Sequence, residues 1–167
     1  YFSLPKPERP RGIGVTLSVA CFIPKPFTPF QWEKQDSLEE MANKQAHLKS
    51  CITDRRIRYN YHAAKGSRIE GVLARGDRRL APAIALAVEE GAIFDAWDEY
   101  FNYQAWLDAF ESCGVNPDFY TVRGYNEDEI LPWDTIDVGV SKKFLLKERD
   151  RAYRAEVTLD CRNGCAG

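Results

Sequence analysis

The chain has 167 residues, of which 44% are hydrophobic and 29% charged, proportions of a folded domain with a core and not of a disordered segment. Its formal net charge of −2 gives no global field to draw in nucleic acid or a membrane surface, so any such role rests on local clusters. No stretch approaches the roughly 20 apolar residues that a bilayer-spanning helix requires.

The chain starts at Tyr1, and the segment to Arg11 carries three prolines without the pattern of a secretory signal. We read this start as a cut within a longer polypeptide. Five cysteines stand at 21, 51, 113, 161 and 165. The odd count and wide spacing argue against a secreted disulfide framework and fit a cytoplasmic protein. Cys51 and Cys113 fall near predicted helix ends, where the plain reading is small buried hydrophobes.

Ile13 to Phe22 is rich in apolar and β-branched residues and predicts a largely buried strand. Pro24 and Pro26 stop it, because proline cannot donate to a ladder. An extended loop follows to Trp32. Ser37 and Glu40 form a capping box that starts a helix with Leu38, Met41, Leu48 and Ile52 on one face. Residues Arg56 to Tyr61 alternate as a second strand. Strand, helix and strand in this order predict a βαβ unit with parallel strands.

Ser67 and Glu70 read as a second capping box, with Ile69, Val72 and Leu73 on the apolar face. Gly76 suits a left-handed helix end, and Asp77 suits the cap of a helix running to about Glu90. Leu80, Ile84, Ala87 and Val88 are expected inward there. Phe94 to Phe101 is an aromatic connection. Tyr103, Trp106, Leu107 and Phe110 follow the helical spacing closely. Residues 116–137 read as mostly irregular, and Ser141 caps a last helix to about Ala155. The fold class is therefore α/β: one βαβ unit in residues 1–65, then a mainly helical region with a cysteine-containing tail in residues 66–167. Two parallel strands alone leave open edges and an apolar face, which suggests a larger barrel of which this is the end.

The stretch Ser18-Val-Ala-Cys-Phe-Ile-Pro-Lys-Pro-Phe-Thr-Pro-Phe-Gln-Trp32 resembles a late barrel strand of a radical S-adenosylmethionine (radical SAM) subfamily. Those proteins are iron–sulfur oxidoreductases, often with a cobalamin-binding-like domain upstream. The resemblance continues through Tyr61-His62, Ile69-Glu-Gly-Val-Leu-Ala-Arg-Gly-Asp-Arg-Arg79 and Phe94-Asp-Ala-Trp97. It runs on through Leu131-Pro-Trp-Asp134 and Asp137-Val-Gly-Val-Ser141 to Cys161 and Cys165. It thus covers nearly the whole chain in order. It implies the end of a partial (β/α) barrel and a parent enzyme that uses a [4Fe–4S] cluster and SAM. The cluster motif C-x3-C-x2-C has no counterpart here, so the chain alone is expected to carry neither cofactor, and its first partner is the upstream portion of the same polypeptide. The resemblance also offers Cys21, Phe22 and Ile23 as SAM contacts at the barrel mouth; the plain alternative is core-to-loop residues.

Other candidates rest on residue chemistry. Tyr61 and His62 end the second strand, where ligands of parallel sheets sit; His62 can serve a substrate as proton donor or hydrogen-bond partner, or merely anchor the next loop. Arg75, Asp77 and Arg78 belong to a basic motif suited to a small anionic substrate or an RNA backbone. The same motif also reads as a turn between helices. Cys161 and Cys165 supply half of a metal site, or two free thiols. His47 is expected in solvent. Two function classes remain open from the sequence: the carboxy-terminal part of a radical SAM enzyme, or a helical module that binds RNA or protein.

Overall fold

The computed structural model describes residues 2–9, 12–160, 162 and 164. Strand β1 (Val15–Val19) pairs in parallel with β2 (Ile57–Tyr61), Val15 opposite Ile57 and Val19 opposite Tyr61. Helix α1 (Leu38–Cys51) connects them, and Ser37 and Glu40 make both halves of the predicted capping box. The helices α2 (Ala64–Arg75), α3 (Leu80–Glu89), α4 (Tyr103–Ser112), α5 (Pro117–Thr121) and α6 (Lys142–Tyr153) follow. The chain is thus α/β, mostly helical, with a two-stranded parallel sheet among the described residues. No helix of those residues is long and apolar enough to cross a membrane.

The strand prediction was too long and too buried. β1 is five residues, and Val15 and Leu17 remain 44% and 39% exposed. An apolar strand buries its side chains only where a second layer lies over it, and here two strands form the entire described sheet.

Two apolar clusters hold the rest. The first joins Ile69 and Val72 of α2, Leu80, Ala83 and Ala87 of α3, Trp106, Ala109 and Phe110 of α4, and Tyr120 of α5. Small residues let α3 approach α4 closely. The second joins Trp32 to Tyr125, Leu131, Trp133 and Leu145. It ties the proline-rich loop to segments a hundred residues later, and Trp133 Nε1 donates to Gln31 Oε1 at 2.7 Å.

Several local expectations need correction. Helix α2 starts at Ala64, so Ser67 is inside it: its N–H donates to Ala63 O at 3.0 Å, its carbonyl accepts from Gln35 Nε2 at 2.9 Å, and it is buried. It cannot cap, and Glu70 pairs instead with Lys25. Gly76 is extended, not left-handed (φ −72°, ψ 167°). Glycine is needed there for space: a Cβ would lie 2.0 Å from Leu80 Cδ1 and 2.9 Å from Val72 O. Helix α3 buries Leu80, Ala83 and Ala87, while Ile84 and Val88 are exposed. Arg79 is its cap residue, and Asp77 acts one step earlier by accepting the Arg79 N–H at 2.9 Å. The segment 116–137 contains α5, whose start is set by the Asn116 side chain accepting from Asp118 N and by Pro117 at the first turn. Cys113 packs on the first cluster as expected, but Cys51 is exposed, its Sγ 3.7 Å from Nε2 of the exposed His47.

Candidate functional site

A cleft of about 960 Å³ is lined by the end of β2, one flank of α2 and the aromatic connection before α4. That size falls in the range of small-molecule sites. Tyr61 and His62 reach it because they stand at the carboxyl end of a parallel strand, Tyr61 its last residue and His62 the next, where chain leaves the sheet and backbone groups become available to ligands. Gly66, Glu70 and Leu73 line it from α2 at spacings of four and three, one face of a helix. Lys25 comes from the proline-rich loop and Trp97, Asp98 and Glu99 from the aromatic connection, with Phe101 and Trp106 beside them.

Each wall has an identifiable anchor. His62 N–H donates to Val19 O at 3.3 Å, continuing the parallel ladder by one bond. Its carbonyl accepts from Gln45 Nε2 at 2.8 Å and lies 3.8 Å from Cys21 Sγ. The backbone of His62 is thereby clamped to both α1 and the end of β1, while the residue itself stays exposed. Asp95 holds the aromatic connection onto α4: its carboxylate accepts Trp106 Nε1 at 2.5 Å and Asn102 N at 3.4 Å. Lys25 and Glu70 form an ion pair between the loop and α2.

The predicted site residues divide. Tyr61 and His62 line the cleft, with Cys21 against the back of His62. Ile23 is half-buried; Phe22 is 49% exposed and meets the Phe30 ring edge-on at 6.3 Å. None of Cys21, Phe22 and Ile23 lines the cleft.

The arginine motif lies apart from it. Arg75 is fully buried, donating to Thr121 O and Arg123 O at 3.1 Å each, with its guanidinium 4.1 Å from the Tyr125 ring centre. Burial pulls its pKa down. Asp77 accepts from Arg79 and, at 3.2 Å, from Tyr120 OH. The Arg79 guanidinium holds the Asp77 carboxyl down at about 2. Arg78 is exposed.

Sequence reasoning missed Lys25, Glu70, Asp98 and Glu99 as site residues. The four- and three-residue spacing of Gly66, Glu70 and Leu73 on α2 was legible; that the aromatic connection folds back over this face was not.

Cys161 and Cys165 lie outside the described residues. Among those that are described, no group of three His, Cys, Asp or Glu side chains stands close enough to hold a metal ion. A [4Fe–4S] cluster needs several thiolates at one point, and Cys21, Cys51 and Cys113 do not form such a group. The described residues therefore provide no seat for it. No family model matches the chain, and no curated protein and no solved structure matches it either.

Proposed function

We propose that this chain is the carboxy-terminal part of a cytoplasmic radical SAM oxidoreductase, forming the end of its barrel wall and the substrate side of its active site. The observation that carries the reading is the placement of the cleft at the carboxyl end of a parallel βαβ unit, where ligands of parallel α/β folds bind. Among the described residues β1 pairs with β2 alone, which supports it, since such a strand is stabilised by a further parallel strand along its other edge. The cluster belongs in this reading to the upstream portion of the polypeptide. Cys21, Phe22 and Ile23, next after β1, are offered to the SAM adenine, and Tyr61 and His62 to the substrate.

The rival reading, an RNA- or protein-binding module, placed an arginine fork on the surface. Arg75 is inside, with two of its guanidinium nitrogens donating to main-chain carbonyls, which takes the first arginine of that motif off the surface.

The test is anaerobic reconstitution with iron and sulfide of this chain and of the polypeptide extended upstream through a C-x3-C-x2-C motif. The expected result is iron uptake and SAM cleavage to 5′-deoxyadenosine by the extended form and neither by this chain. An extended form that takes up iron to no greater extent and leaves SAM intact overturns the reading.

A further inference from the structure

We propose that the cleft takes an organic cation, an amine or guanidinium group carried on an apolar or ring-shaped body. The inference deepens the assignment of this cleft as the substrate side and rests on it. Four carboxylates line the cleft (Glu70, Asp95, Asp98 and Glu99) against one ammonium, Lys25. Their commitments differ. Glu70 and Lys25 neutralise each other, and Asp95 is bound to Trp106 and the Asn102 backbone. Asp98 and Glu99 remain exposed at the wall of the cleft, so the charge left to meet a ligand is negative.

The lining beside these acids is partly aromatic (Tyr61, Trp97, Phe101 and Trp106) and partly aliphatic. Trp97 is 55% exposed, packed edge-on against Phe94 at 6.0 Å, and Tyr61 is 48% exposed with one face of its ring stacked on Tyr59 at 5.2 Å. Carboxylates beside open indole and phenol faces recognise cations twice, by charge and by the ring quadrupole. An anion would meet repulsion from Asp98 and Glu99, with the nearest cation already paired. A purely apolar ligand would leave both carboxylates in a partly dried cleft without a partner.

Trp97 provides the readout, because Trp32, Trp106 and Trp133 are at most 6% exposed. The indole N–H resonances of this chain would be followed by NMR while titrating phenyltrimethylammonium or its size-matched anion, benzenesulfonate. The cation is expected to shift the Trp97 resonance, with benzenesulfonate inactive at the same concentrations. The double variant Asp98→Asn/Glu99→Gln, with unchanged circular dichroism, is expected to weaken cation binding by about tenfold, and added salt to weaken it in the parent. No response to either ion, equal response to both, or full affinity in the double variant overturns the proposal. Failure here is separable from failure of the enzyme reading. An extended polypeptide that cleaves SAM while the cleft ignores the cation removes only this inference. A cleft that selects the cation in a polypeptide unable to cleave SAM removes the enzyme and keeps a cation-binding domain.

Discussion

Arg75 shows how one side chain joins distant segments: α2 supplies it, and residues 121 and 123 receive its hydrogen bonds. Arg75→Met leaves two main-chain acceptors without their donor and is expected to cost about 3 kcal/mol of stability, from the desolvation of unpaired buried groups. Arg75→Lys keeps the charge but loses the fork and the stacking on Tyr125, so an intermediate loss is expected. Urea unfolding checks both; losses under about 0.5 kcal/mol would contradict the anchoring role. Asp77 gives a pH signature. Its carboxyl titrates at about 2 in the folded chain, against about 3.9 when unfolded. A depressed carboxyl stabilises the fold fully above about pH 4, and the contribution is lost as pH falls toward 2. Asp77→Asn is expected to flatten the decline of urea midpoints between pH 4 and 2. Part of the decline persists, because Asp54 is likewise held at about 2, by Arg56.

Helix α2 sets two glycines of opposite consequence in one element. A Cβ at Gly71 would lie 2.4 Å from Gln35 Oε1 and 3.0 Å from its Cδ. Gln35 is fully buried and bonded to Ser67 O, so it has little room to move. Gly71→Ala is expected to destabilise by about 1–3 kcal/mol despite the better helix propensity of alanine. A Cβ at Gly66 meets nothing within 4 Å, and Gly66→Ala is expected to stabilise by about 0.5 kcal/mol. Thermal unfolding of both variants distinguishes close packing from mere helix tolerance. Elements of this kind were largely legible in the sequence where local chemistry decides them. The Ser37–Glu40 box, the Trp106–Phe110 face and the parallel pairing all follow from spacing. The misplaced start of α2 was not legible, because Ser67-Arg-Ile-Glu70 satisfies the capping pattern while Ala63 and Ala64 carry no signal. The tertiary contact from Gln35 has no local trace either.

In the whole molecule the sheet is the exposed part and the helices are the core. Residues of β1 and β2 are at most half-buried, whereas α2, α3 and α4 share one apolar cluster. Native-state hydrogen exchange should therefore open the strands before α4. The cleft was half legible: Tyr61 and His62 were placed by strand order, but Asp98 and Glu99 enter through the fold of an aromatic connection without a periodic pattern. Arg75 reads in the sequence as a ligand contact or as part of a turn between helices; the turn is there, and the tertiary packing of Tyr125 and residues 121–123, which has no local trace, takes the Arg75 side chain inside.

The barrel-wall assignment turns on the outer edge of β1. Val15 N–H donates to Arg56 O across the pair, so by strand alternation the Thr16 and Ser18 N–H groups face the opposite, open edge. Amide exchange at Thr16 and Ser18 measures directly whether another strand belongs there. Both amides should exchange rapidly in this chain and become protected by a hundredfold or more (about 2.7 kcal/mol) in the extended polypeptide. Equally rapid exchange in the extended polypeptide would contradict the assignment of this βαβ unit to a longer parallel sheet.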